Sequence, residues 1–320
     1  MDISLLRDTA GAMVADGKGI LAADESTRTI SARFESLGIK STEDSRRDYR
    51  ELLFRTEGVG EFISGAILYD ETIRQTASDG MSMVDVLQGQ NMLPGIKVDT
   101  GTTQLAGAPG ELVTEGLDGL RQRLHEYFDI GARFAKWRAV ITIGDSIPSE
   151  YCIKANAHLL ARYAALCQEA NLVPIVEPEV LMEGGHDIVH CFEATSMALS
   201  TVFNELVEQR VDLTGIILKP NMVLSGKDSS TKTGPYEVAE KTIDCFLKTI
   251  PVAVAGIAFL SGGQSDTDAT TNLNAITNRA SQLNVPWPIT FSYGRGLQSL
   301  PLSTWLGEKA NAGDAQKAFY

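Results

Sequence analysis

Cysteine is scarce in this chain of 320 residues, which contains only four. They are widely spaced and form no Cys-x-x-Cys pair: Cys152, Cys167, Cys191 and Cys245. This pattern excludes a disulfide framework, because such frameworks need dense and closely spaced cysteines. We therefore predict that the four thiols are small buried hydrophobic side chains in a protein of the reducing cytoplasm.

The chain also has no long apolar run and has fewer basic than acidic residues. No stretch approaches the ~18–20 apolar residues of a membrane-spanning helix, and residues 1–7 lack the basic and apolar regions of a signal peptide. The 28 Lys and Arg residues face 41 Asp and Glu residues, for a net charge of -13. This balance argues against nucleic acid and anionic membranes as partners, although a local basic pocket for a small anion is compatible with it.

Two common cofactor and metal motifs are missing. No Gly-x-Gly-x-x-Gly follows the first predicted strand, which weakens the case for a dinucleotide-binding sheet. The chain has four histidines in all. His186 and His190 have the spacing of a metal-ligand pair, but neither follows a predicted strand. We interpret both as helix or surface residues and predict no metal site.

Eight short apolar stretches alternate with amphipathic helical patterns, the longest helix over 151–170. The predicted strands are 20–23, 62–69, 93–98, 134–141, 173–176, 216–218, 254–260 and 287–292. Eight strand–helix units in 320 residues favour an α/β fold, the (β/α)8 or TIM barrel, with residues 1–320 as a single catalytic domain. A doubly wound open sheet is the alternative.

A lysine stands at the end of the sixth predicted strand. Lys219 follows the apolar residues 216–218 and precedes Pro220 and Asn221. A lysine in such a place is destabilising unless it is paired or has a chemical use. Because burial disfavours the ammonium form, we expect a neutral, nucleophilic amine at this position.

Polar or charged residues end nearly every predicted strand. These residues are Asp24, Asp70, Lys97, Lys136, Glu177, Lys219, Ser261 and Ser292. The carboxyl ends of barrel strands converge on one face, where active sites are built. One charged strand end is explained equally well by a strand that exits to solvent, but lysines and acids at several corresponding ends favour a catalytic site.

The fourth predicted strand carries two cations on one face. The period of two residues places Lys136 and Arg138 on the same side of the strand. Glu177 lies near them if the fourth and fifth strands pair. A structural buried ion pair would explain this arrangement. The functional interpretation is a cation that activates Lys219, with Glu177 moving protons.

Glycine turns follow the seventh and eighth predicted strands, at Ser261-Gly-Gly263 and Tyr293-Gly-Arg295. In (β/α)8 barrels, this is the usual place of a phosphate site. Backbone N–H groups and a guanidinium group bind the anion there. The two turns therefore predict a phosphate-binding site.

Seven motifs in order make the chain resemble the class I, Schiff-base fructose-bisphosphate aldolases. They are GKGILAADEST at 17–27, GIKVD at 95–99, FAKWR at 134–138, VPIVEPE at 173–179, LKPNMV at 218–223, FLSGGQS at 259–265 and TFSYGR at 290–295. The resemblance runs from about residue 17 to 307. It implies a homotetrameric barrel without metal or cofactor that reversibly cleaves fructose 1,6-bisphosphate to dihydroxyacetone phosphate and glyceraldehyde 3-phosphate in glycolysis.

The resemblance also implies a role for each site residue. Lys219 matches the Schiff-base lysine, Glu177 the general acid–base and Glu179 its neighbour. Lys136 and Arg138 match the charged pair beside the imine, and Asp24 matches the acid that contacts the substrate hydroxyls. The implied contacts of the phosphate on carbon 1 are Ser261, Gly262, Gly263, Gly294 and Arg295. Those of the phosphate on carbon 6 are Ser26, Thr29 and Lys97, and Arg33 is a further substrate or phosphate contact.

Two departures from the family pattern leave alternatives open. Ala32 stands where many members have lysine, so the preference between fructose 1,6-bisphosphate and fructose 1-phosphate is not determined. Family chains continue into a flexible tail that ends in tyrosine, whereas Tyr320 looks like part of the last helix, so we expect a short or truncated tail. The alternatives are another lysine-imine sugar-phosphate aldolase and a non-catalytic scaffold on the same fold.

Overall fold

The computed structural model describes all 320 residues. Its ten strands are β1 (Gly19–Ala23), β2 (Ile63–Leu68), β3 (Leu93–Lys97), β4 (Gly101–Gln104), β5 (Leu112–Glu115), β6 (Phe134–Ile141), β7 (Val173–Val180), β8 (Ile217–Leu218), β9 (Gly256–Phe259) and β10 (Ile289–Tyr293). Eight of them close a parallel barrel in the order β1-β2-β3-β6-β7-β8-β9-β10, and β4 and β5 form a separate antiparallel hairpin. The predicted (β/α)8 barrel is confirmed, and the open sheet was the wrong alternative.

Helices connect the strands and surround the barrel. They are α1 (Ile3–Met13), α2 (Thr27–Glu35), α3 (Glu43–Phe54), α4 (Asp70–Ile73), α5 (Met83–Gly89), α6 (Leu120–Ile130), α7 (Glu150–Glu169), α8 (Ile188–Glu208), α9 (Pro235–Thr249), α10 (Asp266–Leu283), α11 (Arg295–Trp305) and α12 (Ala312–Phe319). Many begin at a side chain that accepts a backbone N–H of the first turn, as Ser149 does from Cys152 at 3.1 Å. None of the helices is long and apolar enough to cross a bilayer.

The fifth predicted strand is longer than expected. The apolar run predicts an end at Val176, but β7 continues to Val180. The reason lies at Pro178, which has no N–H to give. The N–H of Val180 points away from β6 and donates to Asn221 Oδ1 at 3.0 Å. Residues two apart on a strand present their backbone N–H to the same side. Pro178 therefore faces the β8 side of β7, where no β8 residue pairs with it because β8 ends at Leu218.

The floor of the barrel is an apolar cluster closed by α1. Its buried members are Leu6, Ala10, Met13, Val14, Ile20, Ala22, Ile67, Phe134, Val173, Ile175, Ile217 and Ala258. Side chains two apart on a strand point to the same face. The next inward residues after Ala22, Phe134, Ile175 and Ile217 are therefore Asp24, Lys136, Glu177 and Lys219, and all four line the cavity above the floor.

Glycines make room for the large side chains of this floor. A Cβ added to Gly95 would lie 2.2 Å from the ring of Phe134, which is fully buried. Contacts under about 3 Å force the ring or the backbone to shift, and the surrounding core is close-packed. Gly95 therefore allows Phe134 to fill the barrel interior.

We predict that Gly95→Ala destabilises the protein by about 1–3 kcal/mol, because the added methyl group overpacks the floor. The urea midpoint of unfolding is the measurement. Gly11→Ala is the matched control, since a Cβ there meets no atom within 4 Å and alanine is the better helix former. A Gly95→Ala protein as stable as the Gly11→Ala protein would contradict the packing account.

Candidate active site

A cavity of about 1040 Å³ opens at the carboxyl ends of the barrel strands. Fourteen of the fifteen site residues predicted from the sequence line it. The fourteen are Asp24, Ser26, Thr29, Arg33, Lys97, Lys136, Arg138, Glu177, Glu179, Lys219, Ser261, Gly262, Gly294 and Arg295. Gly263 is the one that does not line it. The strand-end residue Asp70 does not line the cavity either, and accepts from Arg74 Nε at 2.9 Å.

The cavity is positively charged in an acidic chain. Its wall carries seven Lys and Arg side chains against five carboxylates, an excess of two positive charges. The whole chain has a net charge of -13. A concave site with one sign of charge concentrates ligands of the opposite sign. The cavity therefore favours a ligand with more than one negative charge.

Four buried charged side chains form the centre of the cavity. Lys136 Nζ donates to Asp24 Oδ2 at 2.9 Å and lies 3.0 Å from Glu177 Oε2. Lys219 Nζ lies 3.2 Å from Glu177 Oε1. Glu177 Oε2 accepts no hydrogen bond, so its contact with Lys136 is purely ionic. Glu177 thus contacts both lysines, one through each carboxylate oxygen.

The pairing determines the ionisation of these groups. Burial alone would raise the pKa of the Asp24 and Glu177 carboxyls, but the charges of Lys136 and then Lys219 outweigh it and lower both pKa values. Burial alone would likewise lower the pKa of Lys136, yet Asp24 and Glu177 raise it. Both carboxylates and Lys136 are therefore charged at neutral pH.

A second layer of ion pairs lies beside this centre. Arg138 Nε bonds Glu179 Oε2, and Lys97 Nζ bonds both the carboxylate and the carbonyl oxygen of Asp99, the latter at 2.7 Å. Asp99 Oδ2 also accepts the backbone N–H of Arg138 at 3.3 Å. Asp99 was not among the predicted site residues, although its position directly after the third strand was the available signal.

Glu25 is a second acid that the sequence analysis missed. Its Oε1 accepts from Arg33 Nη1 at 2.5 Å and from Gln298 Nε2 at 2.8 Å. The buried Arg50 donates to its carbonyl oxygen at 2.7 Å. These bonds hold the turn after β1 in place, and with it the carboxylate of Asp24. Glu25 was hard to find because it follows Asp24 directly and alternation alone would point it away from the cavity.

The glycine turns after β9 and β10 meet at one corner of the cavity. Gly262 and Gly263 have φ of 56° and 79°, in the left-handed region that suits glycine. A Cβ on Gly263 would lie 3.3 Å from Arg295 Nη2, so the guanidinium group covers the turn. Gly294 begins α11 without a side-chain cap. The corner thus combines a guanidinium group with a helix N-terminus, which suits a phosphate group.

A second hydroxyl-rich corner lies at the start of α2. Ser26 Oγ accepts the backbone N–H of Thr29 at 3.3 Å, and the two side-chain hydroxyls are 3.0 Å apart. Both residues line the cavity together with Ala32 and Arg33 of the same helix. Hydroxyl groups at a helix N-terminus can donate to an anion.

The histidines and cysteines lie outside this site. His190 is exposed, and its Nδ1 is 2.7 Å from Asp187 Oδ1. No group of three or more His, Cys, Asp or Glu side chains is placed to hold a metal ion. The four cysteines are free and buried, as predicted.

Comparison with known proteins gives one consistent family. The family model described as fructose-bisphosphate aldolase class-I matches residues 5–320. A probable fructose-bisphosphate aldolase class 1 of Xanthomonas axonopodis pv. citri is 54% identical over 321 residues, which cover 100% of this chain and 95% of that protein. The cytosolic fructose-bisphosphate aldolase 4 of Arabidopsis thaliana is 52% identical over 303 residues, with 95% and 77% covered.

The fold is shared with a solved aldolase. The structure of fructose-bisphosphate aldolase from Plasmodium falciparum, in complex with TRAP and a small-molecule inhibitor, matches with a TM-score of 0.96 and 46% sequence identity. The match covers 99% of this chain and 91% of that one.

We predict that Lys136→Met destabilises the protein by about 3–5 kcal/mol at pH 7, because two buried carboxylates lose their shared cation. In the native protein the pKa values of Asp24 and Glu177 are lowered on folding. Their stabilisation is therefore complete above the unfolded pKa of about 4 and is lost only below it. In the variant the largest opposing charge is gone and Lys219 remains, and we expect burial then to raise these pKa values, so stability increases as the pH falls from 7 to 5.

Urea midpoints at pH 5 and pH 7 measure this difference. Lys154→Met is the matched control, since its exposed pair with Glu150 at 3.1 Å contributes less than about 0.5 kcal/mol. An equal loss of stability in Lys136→Met at both pH values would contradict the assigned pairing.

Proposed function

Because the chain belongs to the class I fructose-bisphosphate aldolase family, we propose that Lys219 is its imine-forming residue. Glu177 and Asp24 transfer protons, and Lys136 balances the charge of these carboxylates. The family reaction is the reversible cleavage of fructose 1,6-bisphosphate to dihydroxyacetone phosphate and glyceraldehyde 3-phosphate, a metal-independent step of glycolysis. The observation that carries the assignment is the distance of 3.2 Å between Lys219 Nζ and Glu177 Oε1 inside the positively charged cavity.

The first step frees the nucleophile. The Lys219 ammonium group transfers a proton to the adjacent Glu177 carboxylate, which leaves a neutral amine. Lys136 stays charged during this transfer and remains paired with Asp24 at 2.9 Å. No net charge is created in the buried cluster, so the transfer avoids the large free-energy cost of an isolated buried ion.

The second step forms the imine. The Lys219 amine adds to the ketone carbon, and one of the two amine protons moves to the ketone oxygen, which becomes a hydroxyl group. Glu177 then returns its proton to this hydroxyl, which leaves as water while the nitrogen lone pair forms the C=N bond. The product is a cationic iminium, which withdraws electrons from the sugar chain. Glu177 and Glu179 supply the negative field around this cation.

The third step breaks the carbon–carbon bond. A carboxylate, Glu177 or Asp24, removes the proton of the hydroxyl group on carbon 4, and the electrons of the bond between carbons 3 and 4 move into the iminium. Glyceraldehyde 3-phosphate leaves, and the enamine on Lys219 remains. Protonation at carbon 3 and hydrolysis of the imine then release dihydroxyacetone phosphate and restore the amine.

Two anion sites hold the substrate for these steps. We assign the phosphate on carbon 1 to the corner of Ser261, Gly262, Gly263, Gly294 and Arg295. We assign the phosphate on carbon 6 to the side of the cavity formed by Ser26, Thr29, Arg33 and Lys97. Holding both ends fixes the scissile bond against the cluster, and such positioning contributes up to about 7–11 kcal/mol to catalysis. The excess of two positive charges in the cavity supports a bisphosphate over a monophosphate.

We also propose that residues 1–320 act as one catalytic domain, in the cytoplasm and as a homotetramer. The first proposal is supported by the active-site cavity, to which residues at the ends of all eight barrel strands contribute. Three relatives from Arabidopsis thaliana are named cytosolic. The tetramer rests on the family resemblance alone.

We predict that sodium borohydride with dihydroxyacetone phosphate traps a reduced adduct on Lys219, because only an imine is reduced to a stable amine. Peptide mass spectrometry of the treated protein locates the adduct. Lys219→Met is expected to lose the adduct and at least about a thousandfold in kcat, as when other covalent nucleophiles are removed.

Lys227→Met is the control, since Lys227 is an exposed lysine outside the cavity. It is expected to keep both the adduct and the activity. An adduct on another lysine, or full activity of Lys219→Met, would overturn the assignment.

A further inference from the structure

Five of the seven cations of the cavity are already neutralised by carboxylates of the protein. They are Arg33 with Glu25, Lys97 with Asp99, Lys136 with Asp24 and Glu177, Arg138 with Glu179, and Lys219 with Glu177. The two cations without an acidic partner are Arg28 and Arg295. In a chain with 41 acids and 28 Lys and Arg residues, an arginine that faces a cavity without a carboxylate is available to a ligand.

Arg295 has a place in the site described above, but Arg28 does not. Arg28 is the second residue of α2 and is exposed, and it lines the cavity. Ala32 and Ser36 follow at intervals of one helical turn and line the cavity too. Because neither carries a charge, this side of the helix offers Arg28 no acid at the i+4 position to pair with. Its guanidinium group is therefore free to turn towards a bound anion.

The neighbours of Arg28 indicate which anion it binds. Ser26 and Thr29 flank it in the sequence, and their hydroxyl groups are 3.0 Å apart at the same corner of the cavity. Arg33 and Lys97, the other cations assigned to this side, are held by Glu25 and Asp99. Arg28 is thus the cation on this side whose charge is not already balanced, and a guanidinium group binds phosphate oxygens through paired N–H donors.

We propose that Arg28 binds the carbon 6 phosphate of the substrate together with Ser26 and Thr29, and thereby sets the preference for the bisphosphate over fructose 1-phosphate. The proposal rests on the proposed function for its orientation of the sugar. Arg28 contacts substrate but no reacting atom, so it contributes to substrate binding without changing the chemical step. Interactions that are equal in the ground state and the transition state change KM and leave kcat unaffected.

Steady-state kinetics with two substrates tests this. For Arg28→Ala we expect KM for fructose 1,6-bisphosphate to rise about tenfold, the low end for losing a charge-assisted hydrogen bond at an exposed site. We expect kcat to stay within about twofold and KM for fructose 1-phosphate to stay unchanged. Arg28→Lys keeps the charge without the paired donors, so its rise in KM is expected to be smaller.

Arg162→Ala is the matched control, because Arg162 is an exposed arginine of α7 outside this cavity. It is expected to change neither KM. An unchanged KM for the bisphosphate in Arg28→Ala would overturn the proposal. An equal rise in KM for both substrates would overturn it as well. That result would assign Arg28 to the phosphate on carbon 1 or to electrostatic attraction of any anionic ligand.

A binding experiment separates this proposal from the proposed catalytic roles. Calorimetry with hexitol 1,6-bisphosphate and hexitol 1-phosphate, which have no ketone, measures binding without any reaction. We expect Arg28→Ala to weaken the bisphosphate about tenfold and the monophosphate not at all. Equal weakening of both, or of neither, would refute the role of Arg28. Absence of a borohydride adduct on Lys219 in the native protein would instead refute the role of Lys219 and leave this result standing.

Discussion

The contact of Lys136 with two buried carboxylates is the interaction on which the rest of the site depends. Lys136 Nζ lies 2.9 Å from Asp24 and 3.0 Å from Glu177. Without it, the buried cluster would hold two negative charges against the single charge of Lys219, and at least one carboxylate would take up a proton. With it, both carboxylates stay ionised, and Glu177 can also pair with Lys219. Lys136 thus keeps the base, Glu177, ionised and in contact with the nucleophile, Lys219.

The same strand geometry builds the fold and the site. The inward faces of β1, β6, β7 and β8 carry apolar residues at the floor and charged residues two positions later. Burial of the floor gives each strand its register, because a slip by one residue would turn its apolar side chains outward. The register in turn brings Arg138 opposite Glu177 and the acids of β7 against the cations of β6. The chemistry is therefore held at the rigid ends of strands and not on mobile loops.

The sequence predicts the barrel and most of the cavity because both follow from period-two patterns of apolar residues. All eight barrel strands and fourteen site residues are found in this way or through the family motifs. The predicted end of β7 was wrong, because a proline such as Pro178 interrupts a strand only where a neighbouring strand needs its N–H as a hydrogen-bond donor. The hairpin of β4 and β5 was not predicted, because it has no apolar face. Helix α11 was not predicted either, because it contains Pro301 and proline is rare inside helices. Which carboxylate pairs with which lysine depends on side-chain positions across strands, which no local pattern encodes.

The ionisation of Glu177 tests the account most directly. In protein labelled with ¹³C at the glutamate carboxyls, the infrared difference between the native chain and Glu177→Gln isolates the absorption of this one group. Because the pKa of Glu177 is lowered by Lys136 and Lys219, the account predicts a carboxylate band and no carboxylic-acid band from pH 8 down to pH 5. In Lys136→Met the acid band is expected to appear in this range. An acid band of Glu177 in the native protein at pH 7 would contradict the central role of Lys136.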